Sequence, residues 1–89
     1  MITPQAAFEK ARAASLFTLA PIAYDYFDRW VFDYGGKQEV VAGFWPSTVD
    51  KKSGVLGMID FEDAWDFWKK KKSLPTISVK EISEENKDQ

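Results

Sequence analysis

Eighty-nine residues with a net charge of −2 describe one small domain, and they argue against broad affinity for nucleic acid. Hydrophobic residues make up 45% of the chain and aromatic ones 16%, enough for a core. Cysteine and histidine are both absent, which removes disulfides, thiolate metal sites, the usual general base and the usual pH switch. Charge is uneven: residues 1–68 carry ten acids and six bases, residues 69–89 four acids and six bases.

Thr3-Pro4 opens a first helix, with threonine as cap and proline at the first helical position. Ala7, Phe8, Ala11 and Ala14 make an apolar stripe at helical spacing, so the helix can lie close on a sheet; it should end near Ser15. The apolar run Leu16 to Tyr24 contains Pro21, lacks a preceding basic region and is too short to span a bilayer, so a cytoplasmic location is expected. The second half of Leu19 to Tyr26 reads as a strand with Ile22, Tyr24 and Tyr26 on one face, and a turn falls within Asp25 to Asp28. Arg29 to Tyr34 alternates most clearly: Trp30, Phe32 and Tyr34 point one way, Arg29, Val31 and Asp33 the other. Gly35-Gly36 breaks the pattern. Val40 to Asp50 reads as a third strand, with Pro46 at an edge or a bulge because it has no N–H to donate.

The most legible segment is Pro46 to Leu56. Asp50 caps a tight turn and Gly54 supplies the positive φ of a bulged hairpin, after which Val55 to Ile59 returns as a fourth strand. Asp60 begins a second helix, with Asp63 at capping-box spacing. Phe61, Ala64, Trp65 and Trp68 are expected to form its buried face. Lys69 to Lys72 ends it, where cations meet the negative end of the helix dipole, and Ser73-Leu74-Pro75 stops it. Thr76 to Ile82 can add a short edge strand; Ser83 to Gln89 is polar and expected to be disordered. The expected fold is therefore a single α+β domain over residues 1–82. It has an N-terminal helix on a curled antiparallel sheet of three to four strands and a second helix near the C-terminus.

Arg29-Trp30-Val31-Phe32-Asp33-Tyr34, then Ala42-Gly43, Pro46 to Val49 and the hairpin Asp50-Lys51-Lys52-Ser53-Gly54 together resemble the YrhB-like bacterial toxin-immunity family. Met1-Ile2-Thr3 with the early Ala7-Phe8 match that family's opening. The hairpin is also similar to PepSY-type small domains, in which a helix packs on a three-stranded sheet. The resemblance spans roughly residues 1–60, and it implies an inhibitor that binds a toxin and no catalytic residues to carry over.

Three features compete for a functional role. Fourteen aromatic rings must be placed in a domain of this size. Trp30, Phe32, Phe61 and Trp65 follow burial periodicity, whereas Tyr24, Tyr26 and Trp45 are candidates for a partner surface. Asp25, Asp28 and Asp33, and Asp60, Glu62, Asp63 and Asp66, form acidic clusters that could steer a basic partner; equally, they could cap turns and a helix start. Lys69 to Lys72 could touch anionic lipid or RNA, but without interleaved aromatics or arginines it reads as a solvated helix end. Paired-carboxylate chemistry has no accompanying pocket signal, and the acid spacing is not that of a calcium loop, so neither an enzyme nor a cofactor or metal is expected. The reading is a non-catalytic protein-binding domain, with Tyr24, Tyr26, Trp45, Asp25 and Asp28 as partner-binding residues. The alternative is a homo-oligomeric structural or accessory domain, a possible homodimer.

Overall fold

The structure is a computed structural model, and it describes residues 1–15, 18–34 and 46–80. Helix α1 (Pro4–Ala14) is followed by strands β1 (Ile22–Tyr26), β2 (Arg29–Phe32), β3 (Ser47–Asp50) and β4 (Leu56–Met58). Helix α2 (Phe61–Lys70), a 3-10 turn (Lys71–Ser73) and β5 (Thr76–Ser78) complete the order. The α+β class is as expected. Among the described residues the sheet has five strands, in the antiparallel order β4-β3-β2-β1-β5.

Local chemistry sets the helix starts. The Thr3 hydroxyl accepts from the Ala6 N–H (3.1 Å), and the Asp60 carboxylate accepts from the Asp63 N–H (2.8 Å). Each satisfies a backbone donor that the first turn leaves without a partner. The β3–β4 hairpin also closes as its residues dictate. Asp50 Oδ1 accepts from the N–H groups of Lys52 (2.9 Å) and Ser53 (2.8 Å), and Gly54 sits at φ +73°, where a side chain would be strained. These bonds, the Ser53 N–H first, hold the Asp50 carboxyl below the usual carboxylate range.

The sheet buries both faces, one under each helix. On the first face, Ala7, Phe8 and Ala11 of α1 meet Leu19, Ala23, Trp30, Phe32, Val49 and Val79. On the second, Ala64 and Phe67 of α2 meet Tyr26, Val31 and Ile59, with Tyr24 and Leu74 alongside. Strand alternation explains the division: Trp30 and Phe32 point to α1, and Val31 between them points to α2.

Pro46 lies just before β3, an interior strand, and not at a sheet edge; its carbonyl accepts from the Ile59 N–H (3.2 Å). A strand's start tolerates proline because no ladder donor is needed there. The β5 edge strand extends over Thr76–Ser78 and pairs with β1. Beyond it, the Gln5 side-chain amide donates to the Lys80 carbonyl (2.8 Å) and accepts from the Lys80 N–H (2.8 Å), tying the chain after β5 to α1. The Gly35-Gly36 break, residues 40–45 of the third strand, Trp45 and the tail from 83 lie outside the described residues.

Candidate functional site

The residues that the sequence marks for a partner are not brought onto one surface. Tyr26 is buried, 3% exposed, beneath α2. Its hydroxyl donates to Asp66 (2.7 Å), and its ring meets Phe67 edge-on at 6.0 Å. Tyr24 is half-buried on the same face, edge-on to Phe67 at 5.1 Å, with the Lys71 ammonium 5.5 Å from its ring centre. Asp25 points to the opposite face and pairs with Lys51, whose ammonium also lies 4.5 Å from the Trp30 ring centre. Asp28 sits at the β1–β2 hairpin tip, bonded to Arg29 (3.3 Å). Trp45 is outside the described residues. Both tyrosines point outward from β1, as alternation requires, but the surface they point to is the one α2 covers.

The acidic clusters are mostly engaged within the molecule. Asp33 pairs with Lys71 (2.6 Å), Asp63 with Arg29 (3.2 Å), Asp66 with Tyr26 and Lys70 (3.3 Å), and Asp50 and Asp60 close a turn and a helix start. Lysine 71 is thus not part of a solvated end. Burial works against its charge, but Asp33 outweighs that and leaves it above the usual lysine value.

The main correction concerns α2. Its buried residues are Ala64 and Phe67, whereas Phe61 is 60% exposed, Trp65 53% and Trp68 37%. Phe61, Trp65 and Trp68 occupy positions i, i+4 and i+7 and meet in sequence, edge-to-face, at 6.2 and 6.0 Å. The periodicity is real, but it marks an outer edge of the helix. Long-range bonds fix the helix's rotation: Asp63 to Arg29 and Asp66 to Tyr26 hold one edge against the β1–β2 hairpin, and Phe67 drops between the two tyrosine rings. The aromatic stripe is then left facing out on the other side. The available signal was Ala64, whose small side chain permits close approach, with Phe67 three residues on.

Two predictions arise from this geometry. Burial first, then the bond to Asp66, pushes the Tyr26 hydroxyl well above the usual tyrosine value of 10.0. Unfolded Tyr26 therefore loses its proton before folded Tyr26 does. Stability from this group is complete below pH 10 and declines as pH rises above it. Urea titrations from pH 8 to 11.5 are expected to show that decline, and Tyr26→Phe to reduce it; burial raises Tyr34 as well, so some slope remains.

Phe27, at the hairpin tip, holds φ +54° and is 66% exposed. That backbone region costs a side-chain-bearing residue roughly 1–2 kcal/mol. The ring recovers part of this by meeting Tyr26 edge-on at 4.8 Å, with the Lys70 ammonium 5.2 Å from its centre. Phe27→Ala keeps the strain and loses the ring, so Phe27→Gly is expected to exceed it in stability by about 1 kcal/mol in urea unfolding.

Among the described residues no buried side-chain nitrogen or oxygen lacks a hydrogen-bond partner, and no group of acids is arranged to hold a metal ion. Nor is any described helix long and apolar enough to cross a membrane. No known family, curated protein or solved structure matches the chain.

Proposed function

We propose that this chain is a small non-catalytic protein-binding domain that occludes a partner, in the manner of an immunity protein on its toxin. One observation carries the reading: Phe61, Trp65 and Trp68 present an ordered aromatic edge on a helix anchored from its other side. Large aromatic side chains concentrate binding energy at interfaces, and rings already ordered against each other lose little freedom on binding. The acids are engaged in internal pairs, so docking would depend on the aromatic edge more than on an acidic rim.

The test is co-expression with the polypeptide encoded next to this chain, read as growth rescue and as affinity between the purified pair. The wild type is expected to protect. Trp65→Ala is expected to keep its fold and to bind about 30-fold more weakly or worse, the loss typical of an interface anchor. A wild type that neither binds nor protects, or a Trp65→Ala variant that protects fully, would overturn the reading.

A further inference from the structure

We infer that the aromatic edge of α2 is self-complementary, and that in the isolated protein it closes on the same edge of a second copy, antiparallel and about a two-fold axis. This goes beyond the occlusion of a foreign partner and requires only this chain.

The argument begins with the position of the charges. At about 100° per residue, Phe61, Trp65 and Trp68 fall within an arc of about 60°. Glu62 and Lys69 are exposed and lie on the same flank of that arc, within about 20° of each other and two turns apart along the helix. Neither forms an ion pair with another described residue. The opposite flank belongs to Ala64 and faces the sheet.

A two-fold axis across the helix, level with the midpoint between Trp65 and Asp66, preserves the flank and reverses direction along the helix. It therefore sets Glu62 of one copy level with Lys69 of the other, and the reciprocal pair forms at the other end. Between them the rings of the two copies meet along the helix. A parallel pair places the two Glu62 flanks on opposite sides of the contact and gains neither match. Isologous interfaces demand this kind of self-complementarity, in which a residue and its counterpart exchange roles. Charge pairs flanking an apolar seam are also the usual device by which paired helices choose orientation.

The area sets the strength. The three rings expose about 350 Å² per copy, or about 700 Å² between two copies, with the stems of Glu62, Lys69 and Lys72 adding at the rim. Stable interfaces bury about 1,200–2,000 Å². The pair is therefore weak and reversible, with a dissociation constant on the order of 100 μM. Such a pair forms only as the concentration approaches that value, and it yields to a tighter partner.

Sedimentation equilibrium of the whole chain from about 10 μM to about 1 mM reads this directly. The weight-average mass is expected to rise from 10.2 kDa towards the mass of two chains. Glu62→Lys and Lys69→Glu, each placing like charges across the seam, are expected to weaken association about fivefold, and the two together to restore it. Trp65→Ala is expected to abolish it. These three side chains lie outside the core, and circular dichroism checks that each variant folds. A wild type that stays at 10.2 kDa throughout overturns the inference. So does a pair that ignores Trp65→Ala, or single charge reversals that associate as tightly as wild type. Because the readout involves no second protein, a negative result here leaves the toxin-occlusion reading standing, and failed growth rescue leaves the self-pair standing.

Discussion

Phe67→Ala is expected to cost about 3–4 kcal/mol, the largest loss on the second face of the sheet. The ring is fully buried and lies between Tyr24 and Tyr26, edge-on to both, with Ala64, Val31 and Ile59 in the same cluster. Removing it empties the centre of that cluster, and no neighbouring side chain is placed to refill a space of that size. A domain of 89 residues has only modest stability in reserve, so much of the population would unfold near physiological temperature. The informative control is Trp65→Ala, two residues earlier, which is expected to change stability by less than about 0.5 kcal/mol because its ring lies largely outside the core. Urea unfolding of the two variants checks the rotation of α2. Equal losses would mean that Phe61, Ala64, Trp65 and Trp68 form the buried face after all.

The second large effect lies across the sheet. Phe8→Ala is expected to cost a similar 3–4 kcal/mol. Phe8 is fully buried and packs on Phe32 with ring centres 5.8 Å apart, while the flanking Ala7 and Ala11 bring α1 too close to the sheet for any larger residue to compensate. Because one sheet serves both helices, the loss is expected to appear as earlier unfolding of the whole molecule. Far-ultraviolet circular dichroism and tryptophan fluorescence, which report on different parts, should give coincident urea transitions.

What could be read from the chain was chemistry confined to a few neighbouring residues. Thr3-Pro4, Asp60 with Asp63, and Asp50 with Gly54 each close their own turn of backbone, so their roles follow from spacing. The alternation of Trp30, Val31 and Phe32 likewise assigned faces correctly. The phase of α2 was not legible, because Phe61, Ala64, Trp65, Phe67 and Trp68 cover so wide an arc that several faces satisfy the periodicity. The choice depends on Asp66 meeting Tyr26 and Asp63 meeting Arg29, partners more than thirty residues apart in the chain. The tyrosines of β1 do share one face, as expected, but alternation names a face without saying that α2 covers it. Among the described residues the exposed rings are Phe61, Trp65 and Trp68 on the helix and Phe27 at the hairpin tip.

The position of β5 carries a consequence for how the molecule is made. Translation delivers Ile22–Tyr26 long before Thr76–Ser78, the strand that takes up its outward backbone groups. Until that late segment emerges, β1 is the border of the growing sheet, with two tyrosines and open hydrogen-bonding groups beside the ribosome. A nascent chain stalled before Thr76 would thus be the form most prone to join a neighbour, and Gln5 could latch it shut only once Lys80 had arrived.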